Sequence, residues 1–155
     1  MDLDKLKEDP VMRSEIAADE GIRSTPYKDT RGNWTGGIGH NLSAHGIPWS
    51  QIAAWLKTGI PDKTIKTWFC EDIHAAVQCC DHIFSGYAAS PDEAQRVLAN
   101  MAFVLMYGLW DWPELRRHVE AGNWKAASGD ILQSRFAAQD PARCRRLAAR
   151  MRTIA

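Results

Sequence analysis

The apolar positions follow a helical period along most of the chain and lose it once, near the start. Asp9-Pro10 reads as a helix start, with Asp as N-cap and Pro in the first turn. The helix it opens runs to Glu20 and stops at Gly21. Residues 1–8 read as a short preceding helix or ordered extension. In residues 25–39 the period disappears. Tyr27-Lys28-Asp29 leads into the turn-forming Thr30-Arg31-Gly32-Asn33, then Trp34-Thr35 and Gly36-Gly37-Ile38-Gly39. Four glycines within positions 32–39 exclude a helix interior. A turn between two short runs predicts a β-hairpin with Asp29 and Thr35 across from each other beside the turn.

Helical spacing then resumes. Pro48 to Thr58 forms a helix ended by Gly59, and residues 62–84 carry the stripe Ile65, Trp68, Phe69, Ile73, Val77, Cys80 and Phe84. Ser90-Pro91-Asp92-Glu93 reads as a capping box. It opens a helix through Met101-Ala102-Phe103-Val104-Leu105-Met106, a run apolar on all sides, so this helix is expected at the buried centre. Trp112-Pro113 to Ala121, Asn123 to about Ala138, and Asp140-Pro141 to Arg152 complete the set. The sum is an α+β chain forming a single domain, 1–155. A β-containing lobe spans about 21–61, a larger helical lobe comprises 1–20 and 85–155, and a long helix at 62–84 joins them.

Composition narrows the function classes. The chain has 155 residues, 45% apolar and 25% charged, as in an ordinary globular domain. Net charge is zero but uneven: residues 1–30 hold acids in excess, whereas 135–155 hold Arg135, Arg143, Arg145, Arg146, Arg150 and Arg152 against Asp140 alone. A basic end fits an anionic polymer such as nucleic acid or cell wall, or simply a solvated helix face. The absence of any recognised nucleic-acid-binding motif argues against the first. No apolar run is long enough to insert in a membrane, and MDLDKLKEDP lacks a signal peptide's apolar stretch. The chain is therefore expected in a cytoplasm, reaching any wall substrate only through a separate release route. The four cysteines, Cys70, Cys79, Cys80 and Cys144, include no CxxC and read as reduced thiols. Cys70 and His74 have the i, i+4 spacing of a helical metal pair, but no second pair completes a site, so neither metal nor cofactor is expected.

Glu20 closes a helix, where the negative end of the dipole disfavours a carboxylate and favours a held proton. Asp29, in a polar turn, should stay ionised. Two carboxyl groups with opposed tendencies suit glycoside hydrolysis, although the spacing alone equally describes two surface acids.

The residues around this pair carry a specific resemblance. Glu20-Gly21-Ile22-Arg23, Tyr27-Lys28-Asp29-Thr30, Gly32, Thr35 and Gly37-Ile38-Gly39-His40 resemble the active-site segment of the T-even bacteriophage lysozymes, without a gap from Asp19 to His40. The likeness continues at Phe69, Asp72, Ala75-Ala76-Val77, Asn100-Met101, Phe103, Trp124, Ser134-Arg135, Pro141, Arg143, Arg146 and Arg152-Thr153. It implies a lysozyme-like fold with the active-site cleft between the lobes. It further implies a muramidase in which Glu20 is the general acid, Asp29 the second carboxylate and Thr35 the holder of the attacking water, acting with inversion on the β-1,4 bond between N-acetylmuramic acid and N-acetylglucosamine. Gly39, Asn41, Phe103, Val104 and Arg143 are implied to contact substrate, and His40 and Asp72 to form a structural ion pair. A His-Asp hydrolytic relay is rejected, because no serine or cysteine nucleophile accompanies it. The implied partner is peptidoglycan, met by a monomer that leaves the host cytoplasm with a holin or another route and causes lysis.

Departures from the family pattern bear on binding. Val104 stands where the family has a substrate-contacting glutamine, and Asn41 where it has an apolar residue. Tyr107-Gly108-Leu109-Trp110-Asp111-Trp112 replaces a glycine-rich loop and can either stack on sugar rings or pack in the core. The stretch between His40 and Phe69 is short, so the hairpin lobe should be reduced. Two alternatives stay open: a lysozyme-fold wall-binding module with weak catalysis, and a lytic transglycosylase that uses Glu20 with attack by the sugar's own hydroxyl.

Overall fold

Asp9 begins the main body of the fold as its sequence position predicts: its Oδ1 accepts the backbone N–H of Met12 at 2.8 Å, capping the helix that Pro10 opens. The computed structural model describes residues 1–155. Its helices are α1 (Leu3–Lys7), α2 (Pro10–Glu20), α3 (Trp49–Thr58), α4 (Asp62–Ile83), α5 (Asp92–Leu105), α6 (Pro113–Glu120), α7 (Trp124–Leu132), α8 (Arg135–Gln139) and α9 (Pro141–Arg152). Strands β1 (Arg23–Lys28), β2 (Trp34–Gly37) and β3 (His40–Asn41) follow α2, and 3₁₀ segments cover Tyr87–Ala89 and Met106–Asp111. This is the α+β, lysozyme-like class that the sequence predicts. No helix is long and apolar enough to cross a membrane.

The chain divides into two compact units, Arg13–Ile73 and Met1–Met12 with His74–Ala155, so the boundaries fall inside α2 and α4. The first unit holds the sheet, antiparallel in the order β1-β2-β3. Pairing puts Tyr27 opposite Thr35, Lys28 opposite Trp34, Thr35 opposite Asn41 and Gly36 opposite His40. Thus Thr35 faces Tyr27 across the hairpin, not Asp29. The reason is that Asp29 is drawn into the turn: its N–H donates to Asn33 O at 2.9 Å, and its carbonyl accepts from Gly32 at 3.0 Å. β1 also carries an irregularity between Arg23 and Tyr27, where Pro26 cannot donate to the ladder.

The glycines of β2 are set by packing as well as by the turn. A Cβ on Gly36 would stand 2.5 Å from Ile60 Cδ1, so only a bare backbone lets that isoleucine close on the sheet. Ile60 joins Ile38 and Ile65 in a small core onto which Ala17, Trp55, Trp68 and Phe69 pack. Ile60 N–H also donates to Ser24 O at 2.7 Å, fixing the end of α3 to β1.

In the second unit α5 is the buried centre, with Val97, Leu98, Ala99, Met101 and Ala102 inaccessible to solvent. α9 packs against α5, α7 and α8. The apolar run that ends α5 does not stay buried to its end, since Val104 is exposed, and α5 also buries the polar Gln95 and Asn100. Gln95 Nε2 donates to the carbonyls of Tyr87 and Ala88, and the Tyr87 hydroxyl returns a bond to Gln95 O at 2.7 Å. Two local signals resolve differently from their sequence reading. Ser90 makes no capping box, because its hydroxyl donates back to Gly86 O. The stretch from Asn123 to Ala138 is two helices, because Ser134 Oγ donates to Ile131 O and caps α8 at Ala137 N.

A charged pair ties this unit together. Arg96 grips the buried Asp9 through Nη2 at 2.8 Å and Nε at 3.2 Å. Burial pushes the Asp9 carboxyl up, but the Arg96 hydrogen bond, the Met12 N–H and the Arg96 charge together outweigh it and hold it below the usual carboxylate range. A depressed folded-state value stabilises the fold above the unfolded carboxylate's pKa, and that stabilisation is lost as pH falls through the folded value. Arg96→Met should therefore destabilise the protein at pH 7 by about 2–3 kcal/mol, below the fully buried range because Arg96 is partly exposed. It should also lose less stability than the parent between pH 5 and pH 2 in urea melts. An unchanged acid profile would disprove the pairing's role.

Candidate active site

Glu20 is the last residue of α2, and Gly21 leaves the helix with φ of +70°. Its carboxyl lies against the backbone at Gly39. A Cβ built there would be 2.9 Å from Glu20 Oε2 and 3.3 Å from its Cδ. Gly39 also has φ of +67°, a conformation that disfavours any side chain. Gly39, expected from the sequence as a substrate contact, is also the floor on which the Glu20 carboxyl rests.

Asp29 heads the hairpin turn. Its Oδ1 accepts the N–H groups of Arg31 at 2.9 Å and Asn33 at 2.8 Å, and its Oδ2 accepts from Asn33 Nδ2 at 3.4 Å. The backbone N–H of Asn33, foremost among these donors, holds the carboxyl below its ordinary range. Asp29 is therefore a carboxylate at neutral pH. Thr35 is buried, and its Oγ1 donates to Asn33 O at 3.3 Å. One residue, Asn33, thus orients both Asp29 and Thr35. The sequence reading passed over it as a turn former, although its position between the two was a usable signal.

His40 is buried, with Nδ1 2.7 Å from Asp72 Oδ2. Its ring is sandwiched: Trp68 stacks at 4.4 Å and 10°, and His45 at 4.0 Å and 28°. Neither flanking ring was foreseen. Trp68 and Asp72 stand four residues apart on α4, so helical spacing puts both on one face toward His40. His45 comes from the turn after β3, where its Nδ1 bonds Asn41 O at 2.8 Å. Asn41 Oδ1 accepts from Ala44 N–H at 2.9 Å, giving that side chain a turn-building contact.

His40, His45 and Asp72 offer ligand atoms within 4.8 Å of one another. The set does not fit a metal. Stacked imidazoles carry their lone pairs side by side in parallel planes, and Asp72 and both Nδ1 atoms already have partners. Cys70 and His74 part company too: Cys70 Sγ accepts from Arg13 Nη2 at 2.7 Å, whereas His74 faces Glu8 at 3.5 Å. All four cysteines are free thiols.

The remaining nominated residues belong to the helical unit. Arg143 is buried, donating from Nε to Asn100 Oδ1 at 2.8 Å and from Nη2 to Asn100 O at 3.1 Å, with its guanidinium 5.9 Å from the Phe136 ring. Phe103 is half-buried and Val104 exposed on the last turn of α5. The C-terminal basic run is partly spent inside this unit, since Arg150 pairs with Glu93.

A model of the phage lysozyme family matches residues 17–151. The chain belongs to the phage lysozyme family. No curated protein matches the chain. As a phage lysozyme it is a glycosidase that hydrolyses bacterial peptidoglycan, and every residue nominated above lies within the matched span. Gly39→Ala should displace the Glu20 carboxyl and cut peptidoglycan turnover about 100-fold. Gly46 shares the conformation, with φ of +68°, but has nothing within 4 Å. Gly46→Ala should therefore cost only about 1–2 kcal/mol of stability and leave turnover intact. Equal activity in the two variants would show that the contact with Glu20 is unimportant.

Proposed function

We propose that this phage lysozyme is a muramidase that cleaves the β-1,4 bond between N-acetylmuramic acid and N-acetylglucosamine with inversion. The observation that carries the reading is that two carboxyl groups in one unit are each placed by the backbone around them. Glu20 is set against bare backbone at a helix end, and Asp29 is pinned as an anion by the turn it heads. Glu20 in its acid form donates its proton to the bridging oxygen as the C1–O bond breaks. A water held by the Thr35 hydroxyl attacks C1 from the opposite face and gives its proton to Asp29. Thr35 suits this task, because Asn33 O takes its hydroxyl hydrogen and leaves the oxygen's lone pairs for water. His40 and Asp72 act as a structural pair that holds the start of β3 to α4.

In this reading the substrate contacts include Phe103, Val104 and Arg143, with Arg143 already oriented by Asn100. The protein acts as a monomer on the wall after release through a holin or another route, and lysis follows.

Glu20→Gln should abolish clearing of permeabilised Gram-negative cells while the circular dichroism spectrum is unchanged. Asp29→Asn keeps an acceptor for the turn N–H groups and removes only the charge, so turnover should drop about 10²–10⁴-fold with little change in melting temperature. Mass spectrometry of the digest should show reducing N-acetylmuramic acid ends. Anhydro-muramic ends would establish a lytic transglycosylase, and full activity in Glu20→Gln would leave the chain with a different acid.

A further inference from the structure

The segment that leaves α5 is built to present two aromatic rings. Met106 has φ of 45° and ψ of −131°, and it is the one non-glycine residue with positive φ. Such strain persists only where surrounding structure imposes it, and it concentrates at binding segments. The strained residue starts the 3₁₀ helix Met106–Asp111. Three residues per turn put positions i and i+3 on one face, about 6 Å apart along the axis. Tyr107 and Trp110 have that spacing and are 60% and 49% exposed, whereas Leu109, on another face, is completely buried and anchors the segment.

The two rings are held by neighbours in the same unit. His82 on α4 stacks on Trp110 at 5.9 Å and 25° and meets Tyr107 edge-on at 6.2 Å. Arg116 on α6 places its guanidinium 4.8 Å from the Trp110 centroid. Held in this way, the rings lose little side-chain freedom on binding. Val104, on the last turn of α5, is exposed as well. An exposed aromatic cluster of this kind marks a binding surface rather than scattered surface residues.

We propose that Tyr107 and Trp110 form a platform for an N-acetylhexosamine ring of the peptidoglycan strand, a sugar-binding subsite built by this chain's own 107–110 segment. The proposal rests on the muramidase reading, which makes the glycan strand the occupant. The rings are not coplanar, since His82 lies at 25° to Trp110 but at 80° to Tyr107, so together they form an aromatic corner that can take the apolar C–H face of such a sugar on one ring and its edge on the other. Arg116 and His82, packed against Trp110, supply N–H donors for the acetamido oxygen and, through Arg116, a positive charge for the carboxylates of the stem peptides.

The test uses the full chain and soluble, uncross-linked glycan strands of alternating N-acetylglucosamine and N-acetylmuramic acid. Tyr107→Ala and Trp110→Ala should each raise KM about tenfold, with kcat within about twofold of the parent. Tyr107→Phe, which keeps the ring, should restore the parent's KM. Melting temperatures identify any variant that fails to fold, and for such a variant Trp110→Phe serves as the second probe, with KM expected near the parent's. If the parent cleaves the strands and the alanine variants match its KM, the platform is overturned and the muramidase reading stands. If the parent neither binds nor cleaves them, both fall.

Discussion

The close approach of Gly39 to the Glu20 carboxyl is the constraint on which the sheet unit turns. It demands that a helix end and a strand connection meet with no side chain between them, because a Cβ would lie 2.9 Å from Oε2. The neighbouring glycines answer the same kind of demand from the hydrophobic side. Gly36 is bare because Ile60 presses on it, and Gly37 lies under Ile65. The glycine-rich run therefore brings a small aliphatic core to one stretch of backbone and a carboxyl group to the next. Few substitutions in this run could be silent, and each would fail for its own steric reason.

The second carboxyl group is placed by a different principle. Asp29 is held below the ordinary carboxylate range first by backbone amides that the turn aims at it, with the charge of Arg31 a lesser contribution. Amides fixed by chain geometry cannot rotate away or be screened as an exposed lysine can. Asn33 extends the arrangement by binding Thr35 through its carbonyl, so three side chains become one hydrogen-bonded object. Below this, His40 is clamped between Trp68 and His45 while it bonds Asp72. The start of β3 is thereby fixed to α4 by stacking as well as by charge.

Much of this was legible in the sequence where the signal was local. Asp9-Pro10, Asn123 and Asp140-Pro141 open helices because a short polar side chain followed by a turn of amides leaves little choice. Local signals failed where a competing bond of similar strength existed. Ser90 bonds Gly86 instead of capping α5, and Ser134 splits a helix that the apolar period alone would continue. The Thr35 register was misread because Asp29 was counted as a strand residue, and its hydrogen bonds consume it in the turn. What periodicity could not reveal were contacts across sequence: the His45 and Trp68 stack, the Asn100 grip on Arg143, and the steric reasons for the glycines.

The distribution of functional groups follows from these two kinds of contact. Glu20, Asp29, Thr35 and their supports all lie between Arg13 and Ile73, so the geometry of the groups to which the proposed mechanism assigns the chemistry is set inside one unit. A hydrogen-bonded turn and a glycine floor tolerate no slack, which suits groups that must stay near a bond-breaking geometry. The exposed rings at Tyr107 and Trp110 lie in the other unit, on a segment with one buried anchor and one strained residue. In the subsite proposed for them, contact with ring faces needs no fixed hydrogen-bond angles, so this segment can change while Glu20, Asp29 and Thr35 stay the same. On that proposal, changes in glycan preference can accumulate there without disturbing the chemistry.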